Sequence, residues 1–353
     1  MSTPSDTPQA ALHDTRCLVT GGAGFLGRRL VKSLVDSGAR VRVLDRVRAH
    51  VPGVDARVGD IADPDTAARA CDGVAVVFHT ASAMALHEHA PAHVRRDAER
   101  TNVQGTATLL GASAAAGVRR FVFTSSNHVV LGETPIFGGD ERLPYADDAR
   151  DVYTRTKIAA ERLVLAAHSP DRLTTCALRP GGIYGPGDAH FVPRIVKSTR
   201  LLGRRPRMGP RSALIDLTHV DNLVHAHLLA AARLGPRSPV GGSAYFISDG
   251  EPIAVDDFGR LVLAALGRHA PHVALPVPLL RRSIGLWEKL WSRSAAPRPP
   301  FGSAEIKTVA VAHHFSIAKA RAELGYVPIF NAVRGARDAA RDYRERRQRK
   351  PTR

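Results

Sequence analysis

The stretch Cys17-Leu-Val-Thr-Gly-Gly-Ala-Gly-Phe-Leu-Gly27 constrains the fold of this chain more than any other. Leu18 and Val19 make a short apolar run, Gly22, Gly24 and Gly27 supply a G-x-G-x-x-G spacing, and Leu26, Leu30, Val31 and Leu34 recur at helical intervals. The pattern reads as strand, tight turn, helix. In such a turn one glycine permits the bend, one lets backbone amides approach a pyrophosphate, and one lets the helix pack closely on the strand. The anion sits on the unsatisfied amides and positive dipole end of the helix.

Val41-Arg-Val-Leu-Asp45 reads as a second strand ending in an acid, about 20 residues beyond the glycines, as dinucleotide sites place it. A carboxylate there accepts both ribose hydroxyls of an adenosine and repels a 2'-phosphate, which favours NAD. Arg46 follows immediately and softens that repulsion, so NADP stays open. Arg57-Val-Gly-Asp60-Ile-Ala-Asp63 ends a third strand in an acid placed to accept the adenine amino group, with the amide of Ile61 facing the ring. Asp63 before Pro64 is also the pattern of a helix N-cap with proline at the first helical position.

Further along, Val74 to Ser82 is a continuous apolar run of the kind expected in a buried parallel strand. Ala81 and its small neighbours leave room for a cofactor backbone. His79, inside that run, reads as a hydrogen-bonded core residue rather than a base. His87, His89 and His93 lack a matching ligand set, so no metal site is expected. Phe121-Val-Phe-Thr-Ser-Ser126 is another buried strand, ending in hydroxyls at the edge where open α/β sheets bind ligands.

Tyr153 and Lys157, four apart, share a helix face. A neighbouring ammonium and a positive nicotinamide ring favour the phenolate of a tyrosine whose ordinary pKa is about 10. The phenolate then accepts the proton of a carbinol while hydride leaves for the nicotinamide.

The order of these motifs resembles the extended short-chain dehydrogenase/reductase superfamily from about Arg16 to Pro328. The resemblance implies Gly21, Gly24, Phe25, Leu26 and Gly27 in the phosphate loop, Asp45 on the ribose, Asp60 and Ile61 at adenine, and Ala81 beside the cofactor. It also implies Asn102 as a helix-bending residue supporting a proton relay, Ser126 (with Ser125 as rival) on the substrate oxygen, Tyr153 as acid/base, and Lys157 on the nicotinamide ribose. Within the superfamily, Leu178 to Asp188, Leu214 to Asn222 and Ala244 to Pro252 look most like the 3β-hydroxysteroid dehydrogenase/isomerase family. That likeness puts Pro180 to Ile183 along the nicotinamide and matches Tyr245 and Asp249 to positions linked to isomerisation. Nucleotide-sugar epimerases usually carry Asn where Gly182 stands here.

The fold expected is α/β, a Rossmann-type doubly wound parallel sheet with a smaller discontinuous C-terminal substrate lobe. Residues 1–15 are expected to be disordered, 16–180 to hold the NAD-binding core, 181–333 mainly the substrate lobe, with some segments returning to the core, and 334–353 a basic tail. The activity expected is oxidoreduction between a secondary alcohol and a ketone on an apolar, steroid-like small molecule. The rivals are reduction of a long-chain keto acid or polyketide ketone with NADPH, nucleotide-sugar epimerisation or dehydration, and NAD sensing without chemistry. Intact Ser126, Tyr153 and Lys157 weigh against sensing alone.

Three scattered cysteines, Cys17, Cys71 and Cys176, suggest a reduced compartment, and no run reaches the eighteen or so apolar residues of a membrane span. The expected location is therefore cytoplasmic. Of the formal charge of +17, a visible share lies between Arg334 and Arg353. Tyr343 alone interrupts those basic residues with an aromatic ring, so nucleic-acid binding is not expected. Val273 to Pro300 is a basic amphipathic stretch that can lid the pocket, pack on the second lobe, or make peripheral contact with a membrane. A homodimer is what the resemblance implies.

Overall fold

A computed structural model describes residues 10–132, 134–149 and 151–349. Its centre is a sheet of seven strands, all paired in parallel: β1 (Arg16–Thr20), β2 (Arg40–Asp45), β3 (Asp55–Val58), β4 (Val76–His79), β5 (Arg120–Thr124), β6 (Thr174–Pro180) and β7 (Ser243–Ile247). Their spatial order is β7-β6-β5-β4-β1-β2-β3. The order therefore reverses between β1 and β4, where Thr20 pairs with His79. Chains diverge to opposite sides there and leave a crevice beyond the carboxyl ends of the strands, the usual ligand position in such sheets.

The strands are apolar because helices cover both faces. On one face α1 (Phe25–Asp36) packs with α4 (Val220–Arg233), and Leu30, Val31, Leu34, Leu223 and Ala226 share one core with Cys17, Val19 and Val41. On the other face Leu109, Leu110, Ala160 and Val164 close over Leu18, Val77 and Phe121. Ala160 and Val164 come from α2 (Val152–Ala166), whose N-cap Asp151 accepts the backbone N–H of Thr154 at 2.8 Å. The Asp63 cap is formed too, with the Thr66 N–H at 2.7 Å.

A second lobe contains α3 (Phe191–Leu202), α5 (Val255–Ala265), α6 (Val277–Ser292), α7 (Ala332–Gln348) and a four-stranded sheet that includes His313–Phe315. β7 leaves this region and completes the central sheet beside β6.

Two segments differ from expectation. Ala10–Leu12 forms a short 3-10 turn whose Leu12 is fully buried in the core with α1, so residues 10–15 are ordered. Residues 1–9 of that segment lie outside the described residues. Through Gln348 the basic tail is the helix α7, packed rather than solvated, with Ala332, Ala336, Ala339 and Ala340 buried. Gly335 brings it so close to Tyr184 that a Cβ would stand 2.1 Å from the phenol oxygen. Small residues on one face of an arginine-rich sequence make the docking surface. Lys350 and the three residues after it lie outside the described residues.

Candidate active site

The glycine turn closes directly against the end of β4. A Cβ on Gly21 would lie 2.7 Å from the Ala81 Cα, and one on Gly27 would lie 2.1 Å from the Gly21 carbonyl oxygen. Gly21 also has φ of +70°, a conformation that favours glycine. These contacts leave no room for side chains. Leu26 turns its side chain into the core, so that only its backbone lies in the first turn of α1, where amides have no helical partner. Phe25 opens the helix beside Gly187.

A cleft of about 270 Å³ opens above the turn, lined by Gly21, Gly24, Asp45, Asp60, Ile61 and Ala81. Asp45 braces the turn: its carboxylate accepts the N–H of Ala23 at 3.0 Å and of Val47 at 3.1 Å. Asp60 accepts the N–H of Ala62 at 2.9 Å and the Arg100 guanidinium at 3.1 Å. Arg46 lines the same cleft and pairs with Asp97 at 2.8 Å. The glycine cradle, helix N-terminus and paired acids fit a dinucleotide.

His79 lies fully buried one step from this cleft, with Nδ1 2.7 Å from the Thr20 hydroxyl and Nε2 2.9 Å from that of Thr106. Burial pushes its pKa down to about 3. It is a core residue.

Ser126, just past the end of β5, lies beside the Tyr153 phenol and accepts the backbone N–H of His128 at 3.2 Å. Ser125, the rival, is buried, and its hydroxyl has no partner among the described residues. Lys157 sits one turn beyond Tyr153, buried, its ammonium 2.5 Å from the Thr124 carbonyl and over the Phe123 ring. The His128 ring meets that of Tyr153 edge-on at 5.8 Å.

Burial governs the protonation of this set. Burial pushes the Tyr153 phenol up to about 12, opposed by the neighbouring Ser126 hydroxyl, and pushes Lys157 down to about 7. Both shifts have one cause, the penalty on a charged form taken out of water. A positive charge placed beside the phenol would bring it down.

Asn102 lies in a π-helical turn, Arg100–Gln104. Its amide oxygen accepts the Ala83 N–H at 2.7 Å and the Ser82 hydroxyl at 3.2 Å, while its nitrogen donates to the Ala83 carbonyl and the Thr156 hydroxyl, each at 2.9 Å. Its backbone carbonyl accepts the Thr106 hydroxyl at 2.6 Å. Asn102 thus clamps the segment after β4 onto α2. Pro180 ends β6, and Ile183 follows in a short strand paired with Thr218.

Tyr245 and Asp249 are not in this site. The Tyr245 hydroxyl donates to Glu323. Asp249 accepts the Tyr184 hydroxyl, the His219 N–H and the Asn222 amide, each at 2.7 Å. Both are committed to structural contacts. His219, Asp221 and Asp338 bring ligand-type atoms within 4.8 Å of one another. Asp221, however, is neutralised by the Arg29 guanidinium, and His219 Nδ1 accepts the Asp221 N–H, which leaves the proton on Nε2 facing Asp338 at 3.4 Å. That arrangement is a latch between α4 and α7.

The basic stretch is the helix α6, docked by a buried acid. Glu288 accepts the Ser303 N–H at 2.7 Å, the Ser303 hydroxyl at 3.0 Å and the His89 N–H at 3.3 Å. Its outer face keeps Leu279, Leu286 and Leu290 exposed beside Arg282, Lys289 and Arg293. No helix of the described residues is long and apolar enough to cross a membrane.

A doubly wound sheet with a dinucleotide cradle at its switch point, and a Ser-Tyr-Lys set at the next strand end, defines a dehydrogenase of the extended short-chain type. The chain belongs to the 3-beta hydroxysteroid dehydrogenase/isomerase family, which it matches over residues 18–277. It is 43% identical over 320 residues to the 3 beta-hydroxysteroid dehydrogenase/Delta 5-->4-isomerase of Mycobacterium tuberculosis, covering 89% of this chain and 86% of that protein. It is 33% identical to the bovine (Bos taurus) sterol-4-alpha-carboxylate 3-dehydrogenase, decarboxylating, covering 92% and 90% of the two chains. Among solved structures, MoeE5 in complex with UDP-glucuronic acid and NAD superimposes with a TM-score of 0.72 at 25% identity, over 94% of this chain and 99% of that one. The UDP-glucose 4-epimerase of Thermotoga maritima, at 22% identity and a TM-score of 0.73 over 94% and 99%, shares the fold.

Proposed function

We propose that the protein is an NAD-dependent oxidoreductase that interconverts a secondary alcohol, a 3β-hydroxyl on a steroid-like skeleton, and the corresponding ketone. The observation that carries this reading is that Ser126, Tyr153 and, one helical turn on, Lys157 gather at the strand ends beside the dinucleotide cradle. Gly21, Gly24 and Gly27 with the first turn of α1 would hold the pyrophosphate, Asp45 the adenosine ribose, Asp60 and Ile61 the adenine, and Lys157 the nicotinamide ribose. Pro180 and Ile183 would border the nicotinamide end.

When bound, NAD supplies the hydride acceptor, and its reduced form supplies hydride in the reverse direction. Ser126 holds the substrate oxygen by hydrogen bond. In oxidation the Tyr153 oxygen accepts the carbinol proton as the C–H bond gives up hydride; in reduction the same phenol returns the proton to the new alkoxide. Lys157 would hold the nicotinamide ribose, and its charge there would favour the phenolate.

The steroid skeleton is supported by the sequence relatives rather than the structural ones, because sugar-nucleotide enzymes share the fold. The test is turnover of 3β- against 3α-hydroxysteroids with NAD. Oxidation of the 3β series alone is expected, and oxidation of a sugar nucleotide with no steroid turnover would replace this reading.

A further inference from the structure

The C-terminal helix brings its arginines to a second cavity, which shares none of its described lining residues with the cofactor cleft. This cavity, about 490 Å³, lies where the last turns of α3, α5 and α7 meet. Four exposed arginines, Arg200, Arg268, Arg344 and Arg347, are among its lining residues. Tyr343 and Leu266 form the rest of the wall with Gln348, and no carboxylate is among the described lining residues.

The crowd of arginines near the chain end is divided in space. Arg346 turns away, pairing with Asp342 at 2.6 Å and donating to the Asp188 carbonyl at 2.7 Å. Arg344 is held at the cavity by a hydrogen bond to the Ala265 carbonyl at 2.9 Å, the end of α5. The helices beneath are fixed by a shared apolar cluster that includes Val192, Phe258, Val262 and Ala339. The charges are thus presented by packed elements, not by a loose tail.

Four always-charged groups converging on one concavity repel one another, and a multivalent anion relieves that repulsion. Guanidinium forks match phosphate oxygens two at a time. The volume falls within the range of small-molecule sites, larger than one phosphate requires. The Tyr343 ring and Leu266 add a flat apolar wall suited to a heterocycle.

We infer that this cavity is a second, noncatalytic binding site for an organic polyphosphate of nucleotide size, with its phosphates on Arg200, Arg268, Arg344 and Arg347 and its base against Tyr343. The concave shape commits it to a small ligand rather than to a nucleic acid duplex.

The test is calorimetric titration of the full chain, with saturating NAD to fill the cofactor cleft, using ATP and inorganic tripolyphosphate as probes. One ATP per chain is expected. Arg268→Gln with Arg347→Gln should weaken both probes by about tenfold or more, as loss of charge-assisted hydrogen bonds implies. Tyr343→Ala should weaken ATP while leaving tripolyphosphate unchanged. Both arginines are exposed, so an unchanged melting temperature shows that the double variant remains folded. The inference is overturned if ATP does not bind, if the double variant binds ATP as the parent does, or if duplex DNA binds through these arginines more tightly than ATP.

Discussion

Glu161 and Arg179 form an ion pair of 2.6 Å whose side chains are 0% and 4% exposed, joining the helix of Tyr153 and Lys157 to the strand that ends at Pro180. Tyr153, Lys157 and Glu161 follow at intervals of four on α2, so the pair fixes one helix face against the sheet. The Tyr145 hydroxyl also donates to Glu161, at 2.8 Å. Glu161→Gln leaves a buried guanidinium without its counter-charge and should cost about 3–5 kcal/mol of stability. Urea unfolding measures this directly; a loss below about 1 kcal/mol, the size of an exposed pair, would mean that the two charges are not held out of water.

Cofactor choice rests on Asp45. Asp45→Ala removes the ribose acceptor and one brace of the glycine turn, and should lower kcat/KM with NAD by about tenfold or more, the worth of a charged hydrogen bond. The NADP value should fall less, because a source of repulsion toward a 2'-phosphate is removed. Steady-state assays with the two cofactors give the ratio, and an unchanged ratio would place the ribose elsewhere.

Lys157 makes stability depend on pH in an unusual direction. Its folded pKa, about 7, lies below its ordinary 10.5, so between these values the unfolded chain holds more protons. The lysine therefore destabilises the folded state fully below pH 7, and the penalty fades as pH rises to 10.5. Relative to Lys157→Met, the parent should gain stability across that window, on the order of a few kcal/mol. Denaturant midpoints for both proteins at several pH values supply the measurement; parallel curves would mean that Lys157 is not desolvated.

The outer face of α6 carries exposed leucines among basic residues, a pattern that suits an anionic lipid surface. The protein is expected to sediment with vesicles containing acidic phospholipid, less so after Leu286→Glu. Equal recovery with and without vesicles would assign this face to solvent.

What the sequence made legible were features whose cause is local. The glycine spacing, the acid ending β2, the Asp63 cap and the apolar run containing His79 each follow from neighbours a few residues away. What stayed hidden depends on distant partners. The burial that raises the Tyr153 phenol comes from the assembled site, and the partners of Tyr245 and Asp249 include Glu323 and Tyr184. The packing of the helix at the chain end was legible in principle: Ala332, Ala336, Ala339 and Tyr343 recur at helical spacing beneath the arginines that dominate its composition.

Whether Tyr153 moves the proton in hydride transfer at a secondary alcohol is measured most directly by the absorbance of newly formed reduced nicotinamide. The assay offers NAD and a 3β-hydroxysteroid to the parent and to Tyr153→Phe. Turnover is predicted in the parent, with a fall of about 10²–10⁴-fold in the variant, the usual worth of a positioned acid/base, and with NAD affinity retained. Turnover that survives the substitution within a few fold would contradict the role assigned to this phenol.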